Sequence, residues 1–84
     1  MYSEIEKQIE KLMIDFPEHT DLINTLNEQR ITVYNCSWED GECESFLKGD
    51  CDILNDIEAE SIFYEDVRNI QDMLINSQKM DGII

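Results

Sequence analysis

Hydrophobic residues in the first part of the chain recur at the spacing of amphipathic helices. One apolar helical face consists of Ile5, Ile9, Leu12, Met13 and Phe16. We expect Ser3 and Glu6 to cap this first helix and Pro17 to end it. A second helix is expected from Pro17 to about Gln29 or Arg30. Its buried side is predicted to consist of Leu22, Ile23 and Leu26.

The pattern then changes to that of a β-strand. Residues 31–38 are mostly β-formers and alternate with a period of two. The pair Asp40-Gly41 that follows is a preferred centre for a type I′ turn. The sequence therefore predicts an antiparallel hairpin in which Trp38 lies opposite Cys43.

One feature opposes the hairpin. Its register places Glu39 opposite Glu42, and like charges at facing positions are destabilising. A helical turn over residues 42–48, ended by Gly49, is therefore an open alternative. A short third strand is expected near residues 51–54.

The C-terminal part of the chain again has helical spacing. Asn55 and Glu58 resemble an N-cap and its partner, so we expect a long helix from there to about Gln78. Its apolar side is predicted to consist of Ile57, Ile62, Phe63, Val67, Ile70, Met73 and Leu74. The pattern leaves open whether the tail, residues 79–84, frays or docks.

These elements predict an α+β fold with two N-terminal helices, a short antiparallel β-hairpin of two or three strands and a long C-terminal helix. With 84 residues, of which 42% are hydrophobic, we expect one domain covering residues 1–84. The sequence contains no apolar run long enough to span a bilayer. An odd set of cysteines, Cys36, Cys43 and Cys51, is typical of reduced thiols, so a cytoplasmic location is expected.

Charge changes the picture most. The chain has 20 Asp and Glu against 6 Lys and Arg, which gives a formal net charge of −14. Such a surface repels nucleic acid and anionic lipid, so we expect no direct binding to DNA, RNA or membranes. A basic nucleic-acid-binding protein is the expected partner, and the chain itself is expected to be a monomer or a homodimer.

The acids are concentrated between residues 39 and 66, where Lys48 is the only basic residue. Glu58, Glu65 and Asp72 recur every seven residues and are predicted to form one outward stripe on the last helix, about 10 Å apart at 1.5 Å per residue. Together with the hairpin acids, this stripe could imitate a row of phosphates. The predicted partner-binding residues are Trp38, Glu39, Asp40, Glu42, Glu44, Glu58, Glu65 and Asp72. The alternative interpretation is a solvated face that only keeps the protein soluble.

In size and acidity the chain resembles the small phage-encoded anti-restriction and anti-CRISPR inhibitors, several of which mimic DNA. The resemblance extends to no matched motif. It implies a non-catalytic protein from a phage or mobile element that blocks the basic groove of a DNA- or RNA-binding enzyme. The alternative is an acidic adaptor that binds a basic protein segment without competing with nucleic acid.

Chemical sites are not indicated. An EF-hand aligned on Asp50 fails because Leu54 occupies a ligand position and Ser61 replaces the bidentate Glu. The cysteines lack the spacing of a zinc site, and the acids around them oppose thiolate formation, so His19 is not expected to activate a thiol. We therefore expect no enzyme activity, no catalytic residue, no metal and no cofactor.

Overall fold

The structure is a computed structural model that describes the backbone of residues 2–81 and the side chains of residues 3–49 and 51–78. Within these residues the protein is all-α, and the predicted α+β fold is wrong. The four α-helices of this region are α1 (Tyr2–Asp15), α2 (Thr20–Asn35), α3 (Glu42–Ser45) and α4 (Ile62–Asp81). The described part of the chain measures 38 × 25 × 19 Å.

The apolar faces of the first two helices follow the predicted spacing, but two predicted helix starts are wrong. Ser3 lies inside α1 and does not cap it, and α2 begins at Thr20 and not at Pro17. Ile5, Ile9 and Leu12 of α1 are buried, as the spacing indicated. The helix ends before Pro17, because the residue that precedes a proline is disfavoured in the helical conformation. A short 3₁₀ turn, Pro17–His19, then leads into α2.

Residues 31–35 of the predicted strand form the end of α2 instead, and residues 36–38 follow the helix without forming a strand. The helix continues to Asn35, past the predicted end at Gln29 or Arg30. These residues form a helix despite their β-propensity because the helix buries Val33. Val33 continues the helical face of Ile23 and Leu26, and all three are completely buried. The backbone carbonyl of Val33 accepts hydrogen bonds from the side chains of Trp38 (2.8 Å) and Gln78 (3.3 Å).

The connection between α2 and α4, residues 36–61, replaces the predicted hairpin. Its first part is α3, which passes directly into a π-helical turn, Phe46–Asp50. The helical alternative over residues 42–48 is therefore the one that the structure contains. The third strand is also absent from this part of the structure, where a 3₁₀ turn, Ile53–Asp56, is capped by the side chain of Asp52.

The last helix begins later than expected. The predicted cap at Asn55 is wrong, because Asn55 lies in the 3₁₀ turn and α4 starts at Ile62. Ser61 caps the helix instead: its Oγ accepts a hydrogen bond from the backbone N–H of Tyr64 at 3.1 Å. Ile62, predicted as core, is 73% exposed.

The core lies between α1, α2 and α4, and the connection covers one part of it. Phe63, Val67, Ile70 and Leu74 provide the buried face of α4. The 3₁₀ turn between α1 and α2 packs against the start of α4. There the ring of His19 lies parallel to that of Phe63 at a centroid distance of 4.3 Å.

Polar side chains are also buried in this core. Gln29 of α2 donates a hydrogen bond to the backbone carbonyl of Cys51, and Gln71 of α4 donates to Gln29 Oε1 and to the carbonyl of Leu47, each at 3.4 Å. Two helices are thus joined to the connection by side-chain amides. In this arrangement Oε1 of Gln71 is buried without a hydrogen-bond partner.

Helix α4 runs to Asp81, beyond the predicted end near Gln78. Whether the tail of residues 79–84 docks is a question that lies outside the described side chains. Among residues 2–81, no helix combines the length and apolar character that a membrane crossing requires.

Candidate functional site

An open groove of about 480 Å³ lies where the connection leaves α2 and enters α3. Two aromatic side chains and two acids contribute to it. Its lining consists of Trp38, Asp40, Gly41, Glu42, Ser45 and Phe46. The groove therefore combines aromatic surface with negative charge.

The aromatic pair of the groove is held in place from the helix side. The indole Nε1 of Trp38 donates to the backbone carbonyl of Val33, so the hydrogen-bonding end of this ring points back to α2. The ring of Phe46 lies 5.3 Å from it, tilted by 34°. Both side chains are half-buried, so each keeps some ring surface at the groove.

The acids at the groove are ordered by the start of α3. The backbone N–H of Glu39 donates to Oε1 of Glu42 at 2.8 Å, and the N–H of Glu42 donates to the carbonyl of Glu39 at 3.1 Å. Gly41 between them has a φ of +82°, a left-handed conformation that glycine adopts at low cost. The side chains of Asp40 and Glu42 are exposed.

Gly41 was predicted at the turn of a hairpin, but in the structure it lies at the N-terminal end of α3. The carbonyl of Gly41 accepts a hydrogen bond from the N–H of Ser45, which begins α3. The predicted pairing of Trp38 with Cys43 across two strands is therefore wrong. Trp38 instead meets Phe46, which lies one helical turn beyond Glu42.

Two further predicted residues are exposed elsewhere on the connection. Glu44 lies on α3, and Glu58 lies in the loop before α4. Among the side chains that the structure describes, neither forms an ion pair with a basic residue, and the same holds for Glu39, Asp40 and Glu42.

The predicted stripe along the last helix is not formed. Glu58 precedes α4, so only Glu65 and Asp72 lie on it. Both are paired within the chain: Glu65 with Arg68 at 3.3 Å, and Asp72 with Lys48 of the π-helical turn. Their charges are thus partly neutralised, unlike those of the acids on the connection.

The inner side of the connection is apolar. Cys43, Leu47, Ile53 and Leu54 are buried against the helices. Burial raises the pKa of the Cys43 thiol above its ordinary value of 9.0, and the neighbouring Glu44 carboxylate raises it further. This thiol is therefore unsuited to act as a nucleophile near neutral pH.

The remaining chemical candidates stay separate. Cys36 and Cys51 are exposed free thiols, while His19 is stacked on Phe63. In the part of the chain whose side chains are described, no three His, Cys, Asp or Glu residues meet at a geometry that could hold a metal ion.

Ser45 and Phe46 are not among the predicted partner-binding residues, because the predicted hairpin continues past Cys43 as a strand. The helical alternative contained the signal for them, because residues three and four positions apart share a helix face. Read as a helix, the segment places Glu42, Ser45 and Phe46 on the same side.

Comparisons with known proteins add no assignment. No protein-family model matches the chain, and neither the curated proteins nor the solved structures contain a significant match.

Proposed function

We propose that the protein is a non-catalytic inhibitor that docks its acidic connection, residues 36–61, onto the basic groove of a nucleic-acid-binding enzyme. By occupying the Lys and Arg side chains that contact phosphates, it excludes DNA or RNA from that groove. The observation that carries the proposal is the set of exposed, unpaired carboxylates on this connection. Among the described residues, Glu39, Asp40, Glu42, Glu44 and Glu58 belong to this set, as do Asp56 and Glu60.

Pairing supports the choice of this surface over the helix α4. Arg30 and Arg68, which pair with acidic residues, lie outside the connection. Lys48 lies on the connection, but it pairs with Asp72 of α4. A carboxylate with no cation beside it can bind a Lys or Arg of the partner without first breaking an ion pair within the chain. The acids of the connection are therefore better prepared to bind than Glu65 or Asp72.

The way in which the connection is held also supports the proposal. Leu47 and Leu54 pack into the core, and Gln29 binds the carbonyl of Cys51. The acids above them are thus displayed on a backbone that is tied to α2 and α4. Binding then costs less conformational entropy than ordering a free acidic tail would.

A second function is favoured by the groove. Trp38 and Phe46 offer aromatic surface beside two acids, which suits a basic protein segment in an adaptor as well as it suits an enzyme's groove. Competition separates the two functions. Only the inhibitor has to lose its partner when duplex DNA or RNA is added.

The test is an affinity capture of the tagged protein at low and high salt, with and without added duplex, followed by mass spectrometry. The inhibitor function predicts capture of a nucleic-acid enzyme at low salt and its release by duplex. Retention of a basic protein regardless of duplex would replace it with the adaptor function.

A matched pair of variants localises the binding surface. One variant neutralises the connection by Asp40→Asn, Glu42→Gln, Glu44→Gln and Glu58→Gln. The control removes the same charges from exposed positions of α1 and α2 by Asp15→Asn, Glu4→Gln, Glu10→Gln and Glu28→Gln. Only the first should lose the captured partner. Equal capture by both would remove the connection from the proposal.

The proposal includes a location in the cytosol. Cys36 and Cys51 are exposed and free, which is typical of proteins in reducing compartments. Nucleic-acid enzymes of the kind proposed as partners also act there.

A further inference from the structure

We infer that the groove between Trp38 and Phe46 receives an arginine side chain of the partner. This inference rests on the proposed function, since it names the contact that the basic partner makes at the centre of the acidic connection. It goes beyond charge because it requires a particular shape. The groove supplies an aromatic surface and, beside it, the carboxylates of Asp40 and Glu42.

The aromatic surface selects for a cation that can stack. A cation near the face of an indole ring is attracted by the ring's quadrupole, and tryptophan is the strongest of the aromatic side chains in this respect. The Nε1 of Trp38 is already bonded to Val33, so the ring takes part through its surface and not through its N–H. Phe46, at 5.3 Å, supports the ring from one side.

The carboxylates select for a forked donor. Oε1 of Glu42 accepts the N–H of Glu39, whereas its Oε2 has no hydrogen bond within the described residues. The side chain of Asp40 is exposed and forms no ion pair with any described residue. A guanidinium group can stack on an aromatic ring and donate to carboxylates in its own plane, which a lysine ammonium cannot do to the same degree.

The size of the groove is compatible with an arginine side chain. A volume of about 480 Å³ exceeds that of one side chain, and the groove is open to solvent, so a residue can enter while its backbone stays outside. The negative charge of the whole chain, −14, draws cationic segments towards it before contact. The groove then distinguishes arginine from other cations at short range.

The test uses the isotope-labelled full chain, titrated separately with tetra-arginine, tetra-lysine and tetra-citrulline peptides. The Nε1–H resonance of Trp38, the single tryptophan of the chain, reports the groove directly. Tetra-arginine should shift it most, tetra-lysine less, and tetra-citrulline should leave it unchanged. An equal shift by tetra-lysine would overturn the assignment to arginine.

Paired variants complete the test. Asp40→Asn with Glu42→Gln should weaken tetra-arginine binding about fivefold more than Asp15→Asn with Glu10→Gln, which remove the same charges from α1. Glutamine keeps an oxygen for the N–H of Glu39, and Asp40→Asn alone serves if the double variant does not fold.

The outcomes separate this inference from the function on which it rests. Tetra-arginine binding that shifts other acidic residues and leaves Trp38 unchanged would overturn the groove and leave the acidic connection as the binding surface. Absence of binding by both cationic peptides would overturn the groove and also remove the support for the proposed function.

Discussion

Gln29 and Gln71 are the side chains that join the core to the connection. Gln29 uses both ends of its amide: Nε2 donates to the carbonyl of Cys51, and Oε1 accepts from Gln71. Gln71 uses only its Nε2, because its Oε1 is buried without a partner. The two residues are therefore unequal in what their removal costs.

We expect Gln29→Leu to lower the free energy of unfolding by about 1 to 3 kcal/mol, because it leaves buried donors and acceptors unpaired. Gln71→Leu should cost less, since it also removes an unsatisfied oxygen. The double variant should cost less than the sum of both, because the residues share a hydrogen bond. Urea unfolding of all four proteins measures this, with the exposed Gln8→Leu as control. Strict additivity would contradict the coupling.

Cys43 gives the protein a dependence on alkaline pH. Its folded-state pKa is raised, so burial favours the protonated thiol. The stability that this gives is complete below the ordinary pKa of 9.0 and is lost as the pH rises through the folded-state pKa. We therefore expect the free energy of unfolding to fall more steeply in the wild type than in Cys43→Val. Urea unfolding under reducing conditions between about pH 8 and about pH 10.5 compares the two slopes. Parallel curves would contradict this.

Glu6 is an acid whose charge stabilises the fold. Its Oε1 lies 3.1 Å from Nη1 of Arg30, whose side chain is 11% exposed. Glu6→Gln should lower the free energy of unfolding by roughly 1 kcal/mol, because an almost buried guanidinium loses its ion pair with the Glu6 carboxylate. Glu10→Gln on the same helix should leave it unchanged or raise it slightly. Chemical denaturation of both variants checks this, and a loss of equal size in both would contradict it.

At the scale of the elements, the two glycines of the connection test its backbone. An added Cβ meets no atom within 4 Å at either Gly41 or Gly49. Only Gly41 has a positive φ, so Gly41→Ala should lower the free energy of unfolding by about 1 to 2 kcal/mol. Gly49→Ala should leave it unchanged or raise it by up to about 1 kcal/mol, because alanine is the better helix former. Thermal unfolding of the two variants measures the difference, and equal effects would refute the left-handed turn.

The helices with one regular apolar face could be predicted from the sequence, and the segment between them could not. Ile5, Ile9 and Leu12 repeat at a spacing that only a helix satisfies. Over residues 31–35 the local signal favoured a strand, whereas helix formation buries Val33 and brings Tyr34 Oη within 3.0 Å of Ser77 Oγ. Such distant contacts are invisible to local propensity.

The site was predictable in part for the same reason. The acids of residues 39–44 were found from composition and are exposed as expected. The stripe failed because its first member, Glu58, precedes the helix, and the start at Ser61 depends on one side-chain cap. The contact between Trp38 and Phe46 could not be predicted without knowing the left-handed conformation at Gly41.

At the scale of the whole molecule, we expect repulsion among the acidic residues to outweigh the attraction within the ion pairs. With a net charge of −14, the folded state holds like charges closer together than the unfolded chain does. We expect the urea midpoint to rise when NaCl is increased from about 20 mM to about 500 mM, because salt screens this repulsion. The m-value should stay constant. A midpoint that falls with salt would show that the internal ion pairs outweigh the repulsion.

The division of the connection into a buried and an exposed side has a consequence for how such a protein can diverge. Leu47 and Leu54 face inward and maintain the fold, while Asp40 and Glu44 face outward. Substitutions at the outward positions should have little effect on folding, because surface positions without special contacts tolerate exchange. If the connection binds a partner as proposed, a lineage that follows a changing target can alter this surface residue by residue, while the inward side chains remain under selection for the fold.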